Sequence, residues 1–272
     1  MAITLNSLKK VRAVDPPRVL IYGPAGIGKT TLASEFPAPI FLQVEDGTPG
    51  DVEINTFGLL PTYGAVMEAI GLIYDQNLPF STLVLDSATE MQRLVFNETC
   101  ARGDDKGHAK ANIEDFGYGK GYVYAERIWR ELLEALHMLR RDRNMAIVMI
   151  AHSKVERFDD PETVSYDRYE IDLHGKSKGP IERDMDAILL LKSPVTIQKE
   201  EQGFNKERVR AEGGSQVWMH ATPKPAFVAK NRYGIPSKLP YNRGNGFADL
   251  SRFFPPWWQE AAPAEAQAAD AA

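Results

Sequence analysis

A glycine-rich stretch near the start of the chain has the residue types and spacing that suit polyphosphate binding. Gly23, Gly28, Lys29 and Thr30 fit the pattern G-x-x-x-x-G-K-[ST], the P-loop. Glycines let the backbone N–H groups approach phosphate oxygens, and the lysine adds a cation near the β- and γ-phosphates. The threonine hydroxyl is a Mg²⁺ ligand. The predicted nucleotide-binding residues are Gly23, Pro24, Ala25, Gly26, Ile27, Gly28, Lys29, Thr30 and Thr31.

Carboxylates follow two apolar segments that we predict to be buried strands. The segment 39–44 ends at Glu45 and Asp46, where a carboxylate could orient or deprotonate an attacking water. An ordinary strand-end turn is the alternative. The segment 82–86 ends in Asp86, the Walker B pattern, in which the carboxylate helps to hold Mg²⁺. We therefore predict Thr30 and Asp86 as the metal site.

A third apolar segment, 145–151, ends at His152. A polar residue at this strand end could sense the γ-phosphate and pass the signal into the following loop. A lone histidine is more often structural. Its predicted position at the edge of the sheet favours the functional interpretation.

Two long polar segments, 100–122 and 153–180, mix basic and aromatic residues, and we predict the first to be a mobile loop. This composition suits single-stranded nucleic acid, because cations pair with phosphates and rings stack on bases. Plain solvated segments are the alternative. The candidate DNA-binding residues are Arg102, Lys106, Lys110, Phe116, Tyr118, Lys120, Lys176 and Lys178.

Elements that position these residues are indicated by apolar spacing. The strand 19–22 precedes the P-loop, and helical patterns follow at 62–76 and 128–139. The pattern becomes β-like from 194 to 229. We predict an α/β fold with a mostly parallel sheet, helices on both faces and a C-terminal antiparallel extension.

Length and composition set the broad class of the protein. The 272 residues are 43% hydrophobic with a net charge of −5, which argues against a generally basic nucleic-acid coat protein. The single Cys100 permits no internal disulfide and suits a reducing cytosol. No apolar run reaches membrane-spanning length, so we expect a cytoplasmic protein with no membrane partner.

We expect three regions along the chain. Residues 1–17 form an N-terminal segment with apolar residues at helical spacing, either a short helix at the core edge or a contact to a neighbouring subunit. Residues 18–250 form the ATPase-type domain. Residues 251–272 are predicted to be a disordered tail, since Ala, Glu, Gln and Asp follow Pro-Pro-Trp-Trp.

An ordered set of motifs resembles the RecA-fold P-loop ATPases, specifically the short core-only RecA-like proteins of phages, the Sak-type single-strand annealing group. Beyond the P-loop, the set comprises Phe41–Glu45, Leu85–Ser87, Ile150–His152 and Lys230–Arg232, and the resemblance covers roughly residues 16–236. A further stretch, 180–186, is similar to one in DnaB-type helicases.

The resemblance implies site roles. Glu45 takes the position of the catalytic glutamate, and His152 takes that of a residue that is usually glutamine in RecA, which is a departure from the pattern. Lys230 and Arg232 resemble the cations that RecA supplies to ATP on the neighbouring subunit. The expected catalytic residues are Lys29, Glu45, His152, Lys230 and Arg232.

The resemblance also implies activity, cofactors and partners. It implies a Mg²⁺-dependent ATPase that uses ATP and binds single-stranded DNA in phage-type recombination or strand annealing. It implies self-association into a filament or ring, a single-strand DNA-binding protein as a further partner, and the host cytosol as location. The alternatives are a helicase or helicase-loading ATPase, and a nucleotide-regulated binding scaffold with little turnover.

Overall fold

Parallel strands build the part of the sheet to which the P-loop is attached. The computed structural model describes residues 15–257 except Thr48, Asn77, 202–206 and Ser215, so most of the predicted N-terminal segment lies outside the described residues. The parallel strands lie in the order β7-β1-β5-β4-β2-β3. Their bounds are β1 Arg18–Gly23, β2 Pro39–Gln43, β3 Asn55–Leu59, β4 Thr82–Asp86, β5 Ala146–Phe158 and β7 Ala187–Lys192.

Helices cover both faces of this sheet because side chains of the central strands alternate between two apolar cores. On one face, Leu20 of β1 packs with the longer helices; on the other, Ile21 packs with the short helix that follows the P-loop. The helices are α1 Lys29–Ser34, α2 Tyr63–Asp75, α3 Ala88–Arg102, α4 Lys120–Asp142, α5 Gly175–Asp184 and α6 Gly246–Ser251.

The C-terminal part of the chain extends the sheet in antiparallel fashion. Strand β10 (Val217–His220) pairs with β7, and β12 (Lys238–Tyr241) pairs with β10; the two-residue β11 (Lys230–Asn231) pairs with the start of β7. A separate two-stranded hairpin joins β8 (Val195–Glu201) to β9 (Glu207–Gly213). The predicted fold class is confirmed: a mostly parallel sheet between helical layers, with an antiparallel extension.

The two segments predicted as candidate DNA loops have more regular structure than expected. The first is reduced to residues 103–119, because helices α3 and α4 include its two ends, and a short 3-10 helix (Ile113–Phe116) interrupts it. Asp104 further orders it by accepting backbone N–H groups of Lys106 and His108. The second is not a loop: β5 continues to Phe158 and forms an antiparallel hairpin with β6 (Tyr166–Ile171), followed by α5.

Residues 251–257, which the sequence analysis placed in a disordered tail, are ordered in the structure. Residues 251–257 pack on the core, and the side chain of Trp257 is only 2% exposed. Its indole N–H donates to the Ser81 carbonyl at 2.9 Å, and its ring contacts Phe247 and Phe254. The aromatic residues therefore close the core over α1, and the rest of the predicted tail, residues 258–272, lies outside the described residues.

We expect Trp257→Ala to lower the free energy of unfolding by about 3 kcal/mol or more, because it leaves a large cavity and removes one of the two hydrogen bonds to the Ser81 carbonyl, which keeps that from the Ala146 N–H. Urea denaturation followed by circular dichroism measures the change. Tyr118→Ala is the matched control, since that aromatic side chain is fully exposed and its loss should cost less than about 0.5 kcal/mol. Equal stability of the two variants would contradict the packing role of Trp257.

Candidate nucleotide-binding site

The P-loop takes a backbone path that its glycines make possible. Gly26 has φ +71° and Gly28 has φ +103°, values in the left-handed region that favours glycine. Lys29 lies at the start of α1, nearly buried, with its ammonium donating to the carbonyls of Gly23 and Pro24 at 3.0 and 2.9 Å. Burial lowers the pKa of Lys29, while the nearby charges of Asp86 and Glu45 oppose that shift. The ammonium therefore lies folded over the loop, beside the space that phosphates would fill.

Thr30 and Asp86, the predicted metal site, are brought together. The Thr30 hydroxyl donates to a carboxylate oxygen of Asp86 at 2.9 Å, which links the P-loop to the end of β4. Burial raises the pKa of Asp86 to about 6, the hydrogen bond from Thr30 opposes the shift, and the charge of Glu45 adds to it. A buried carboxylate of this kind gains stability from a cation, and its oxygen and the hydroxyl are both Mg²⁺ ligands.

Glu45 and His152, from the ends of two other parallel strands, are in direct contact. One Glu45 oxygen accepts from the Ser87 hydroxyl at 2.9 Å, and the other lies 3.2 Å from Nε2 of His152. The His152 backbone N–H donates to the Thr89 hydroxyl at 2.9 Å. The carboxylate is thus held on both sides, with about a third of its side chain exposed to the cavity.

A cavity of about 540 Å³ joins these groups. A cavity of this size accommodates a small-molecule ligand, and the flexible glycines, the lysine and the hydroxyl–carboxylate pair fit the phosphates of a nucleotide with its Mg²⁺. The lining residues are Ala25, Gly26, Gly28, Lys29, Thr30, Thr31, Glu45, Asp46, Gly47, Pro49, Asp86, His152 and Arg243.

Arg243 in this list was missed by the sequence analysis. It follows β12, more than two hundred residues after the P-loop, and pairs with Asp51 at 3.1 Å. The same turn is fastened to α1 by Glu35, which accepts hydrogen bonds from the Tyr241 hydroxyl and the Gly244 N–H at 3.1 and 2.8 Å. Only the pairing of the C-terminal strands brings Arg243 to the P-loop, and no local motif signals it.

Lys230 and Arg232 lie at the opposite end of the sheet, beside the start of β7, and neither lines this cavity. Arg232 has an acidic partner in its own chain, since it pairs with Asp186 at 3.0 Å. Lys230 donates to the carbonyls of Glu182 and Arg183 in the last turn of α5. Contact with a nucleotide is therefore open to them only on another subunit.

The candidate DNA-binding residues fall into two groups. Three of the cations are ion-paired: Arg102 with Glu98 and Glu131, Lys110 with Asp104 at 3.1 Å, and Lys178 with the buried Glu170 at 2.6 Å. Phe116 packs against Tyr124. Lys106, Lys120, Lys176 and Tyr118 are exposed, and Tyr118 is completely so.

The raised pKa of Asp86 predicts a pH-dependent stability. Because the folded state binds this proton more tightly than the unfolded state does, the ionised carboxylate destabilises the fold as pH rises from about 4 through 6. We expect Asp86→Asn, without nucleotide or Mg²⁺, to raise the free energy of unfolding by roughly 1–3 kcal/mol at pH 8 and by little at pH 4. Urea titrations at both pH values measure this. Asp46→Asn, in the same cavity but exposed, is the control; equal behaviour of both variants would refute the prediction.

The comparisons with known proteins agree with this geometry. A family model described as "AAA domain" matches residues 15–233. No curated protein matches the chain. In the described part of the chain, no helix has the length and apolar character needed to cross a membrane. The matched region includes the P-loop, the Asp86 strand end, Glu45 and His152, and it makes up most of the chain: the protein belongs to the AAA domain family of nucleotide-binding P-loop ATPases.

Proposed function

We propose that the protein hydrolyses ATP with Mg²⁺ and couples this to single-stranded DNA within a self-assembled filament or ring, in recombination or strand annealing of the phage type. One observation supports hydrolysis above all: Glu45 is held by Ser87 and His152 in the cavity that also contains Lys29, Thr30 and Asp86. The group proposed to bind phosphate (Lys29), the pair proposed to bind the metal (Thr30 and Asp86) and the proposed general base (Glu45) thus line the same cavity.

Each group has a role in this proposal. The Lys29 ammonium would exchange its carbonyl partners for phosphate oxygens, and Thr30 and Asp86 would hold Mg²⁺, which would neutralise developing phosphate charge. Glu45 accepts the proton of the attacking water. His152 contacts Glu45 and begins the part of β5 that continues into the hairpin with β6, so a shift of the carboxylate could be passed to that hairpin.

Binding of single-stranded DNA is supported by the resemblance in the P-loop, Walker B and Lys230–Arg232 motifs. Exposed cations and a fully exposed ring beside α4, at Lys106, Lys120 and Tyr118, add to this support. A single-strand DNA-binding protein as a further partner and a location in the host cytosol belong to the same proposal.

The proposal is tested by the rate of ATP hydrolysis with and without a single-stranded oligonucleotide. We expect Mg²⁺-dependent turnover that the oligonucleotide increases, and its loss in Lys29→Ala, because phosphate charge is no longer neutralised. Arg141→Ala, an exposed cation far from the cavity, is the control and should keep the wild-type rate. A rate of ATP hydrolysis that is the same with and without DNA would favour the nucleotide-regulated scaffold. Processive unwinding of duplexes would favour the helicase.

Action of Lys230 on a neighbouring subunit predicts a specific mixing result. Glu45→Gln should reduce turnover by about 10²-fold or more through loss of the base, and Lys230→Ala should be similarly impaired because the transition-state charge is less stabilised. Mixed with DNA present, the two variants should regain part of the rate, since some interfaces combine an intact Glu45 with an intact Lys230.

The control for the mixing experiment is Asp46→Asn, which should remain active alone. No regained rate at any mixing ratio, despite demonstrated co-assembly, would contradict action between subunits. Full activity of the Lys230→Ala, Arg232→Ala double variant would remove the role of these cations.

A further inference from the structure

A basic and aromatic surface lies on the antiparallel edge of the sheet, and it includes none of the residues that the sequence analysis predicted to bind DNA. We call it the Trp218 surface. It comprises Tyr169, Lys192, Trp218, His220, Lys224 and Lys238, all partly or fully exposed.

Strand pairing places four of these side chains, Lys192, Trp218, His220 and Lys238, on one face. Trp218 is the register partner of Lys192 on β7, and His220 is the partner of Lys238 on β12. Directly paired residues of antiparallel strands point to the same side. Met219, between them on β10, points the other way into the core beside α1. The sheet therefore presents Trp218 and its lysine neighbours together.

The lysines lie over the aromatic rings. Nζ of Lys238 is 4.1 Å from the centroid of the Trp218 ring, and Nζ of Lys192 is 4.1 Å from that of Tyr169. These are cation–π distances, so one face of each ring is in contact with a lysine ammonium. On the face that the lysine covers, each ring is therefore not packed against apolar side chains.

The charge of this surface is not balanced within the described part of the chain. No carboxylate there pairs with Lys192, Lys224 or Lys238, whereas Arg102, Lys110 and Lys178 in the predicted DNA segments all have acidic partners. His220 shows the same imbalance: burial lowers its pKa first, and the charges of these three lysines lower it further. A patch of excess positive charge on a protein of net charge −5 raises the local concentration of anionic ligands.

We infer that the Trp218 surface binds single-stranded nucleic acid, with bases stacking on Trp218 and Tyr169 and with Lys192, Lys224 and Lys238 pairing with phosphates. A base replaces each ammonium over its ring, and the ammonium moves to the adjacent phosphate. Alternation of flat rings and cations suits a flexible strand with exposed bases, whereas an acidic peptide would offer the rings no stacking partner. This inference rests on the proposed function and locates its DNA-binding surface.

The position of the Trp218 surface also links the proposed DNA binding to the proposed nucleotide binding. Val217, next to Trp218 on β10, lines a cavity of about 530 Å³ together with Gly26 and Ile27 of the P-loop. The strand that presents Trp218 on one face thus borders the nucleotide-binding loop on the other. If DNA binding moved β10 at Trp218, the adjacent residue Val217 would also move, and the cavity that it shares with the P-loop would change shape.

Binding of a fluorescein-labelled oligothymidylate, measured by anisotropy over a range of salt concentrations, tests the inference. The triple variant Lys192→Gln, Lys224→Gln, Lys238→Gln should bind about tenfold or more weakly, with a log–log salt slope smaller by about 2, because roughly 0.7 counterions are released per phosphate contact. The control Arg130→Gln, Arg141→Gln, Arg252→Gln removes three exposed, ion-paired cations from other surfaces and should bind as wild type.

Stacking is tested by intrinsic tryptophan fluorescence. In a Trp258→Phe background, we expect the oligothymidylate to quench it and Trp218→Phe, which keeps a ring in the sheet, to abolish most of the quenching; Trp129 and Trp257 are buried. Quenching by polyglutamate equal to that by DNA would overturn the assignment to nucleic acid.

The outcomes separate this inference from the function on which it rests. A wild-type chain that binds the oligonucleotide, together with a triple variant of unchanged affinity and salt slope, overturns the Trp218 surface and leaves the proposed function standing. If the oligonucleotide does not change the ATPase rate of the wild-type chain, and the wild-type chain does not change the anisotropy of the labelled oligonucleotide, the proposed function is overturned. The assignment of the Trp218 surface is then overturned as well.

Discussion

Parallel pairing of the central strands is the constraint on which the site depends. Because β1, β2, β4 and β5 all point the same way, the residues that follow them reach one edge of the sheet. Lys29, Glu45, Asp86 and His152 are far apart in the chain and meet there. The groups are mutually dependent: Thr30 bonds Asp86, and Ser87 and His152 hold Glu45. A slip of any one strand would misplace a side chain of the candidate site rather than only an apolar contact.

The antiparallel extension supports the P-loop from the far end of the sequence. Glu35, at the end of α1, accepts hydrogen bonds from Tyr241 and from the backbone N–H groups of Gly244 and Phe247. The Tyr241 ring lies so close to Gly28 that a Cβ atom there would be 3.1 Å from it. The short helix after the P-loop is therefore held by tertiary contacts, since six residues form too little helix to be stable alone.

The sequence alone was sufficient for the fold class and for the convergence of the main site residues, because a P-loop between strand and helix and polar residues after apolar strands are local patterns. It was insufficient where long-range pairing decides. Arg243 reaches the cavity only through β12, Arg232 finds its carboxylate only through β11, and the 153–180 segment becomes a hairpin because β5 continues beyond the sheet. The tail was placed too early because Trp257 follows two prolines and precedes a polar run, which hides its burial.

The surroundings of Asp186 have a consequence for the proposed assembly. Its carboxylate is bound by Arg18 through three N–H groups, by Arg232 at 3.0 Å and by the Tyr233 hydroxyl at 3.2 Å, with Arg140 at 3.8 Å. Arg232 is the most exposed of these cations. If a neighbouring subunit withdrew it, Asp186 would remain paired with Arg18, which also pairs with Asp184, and with Arg140, so it would not become an isolated buried charge. This redundancy makes Arg232 an exchangeable ligand: it can change partners with little loss to the fold, which a singly paired arginine could not do.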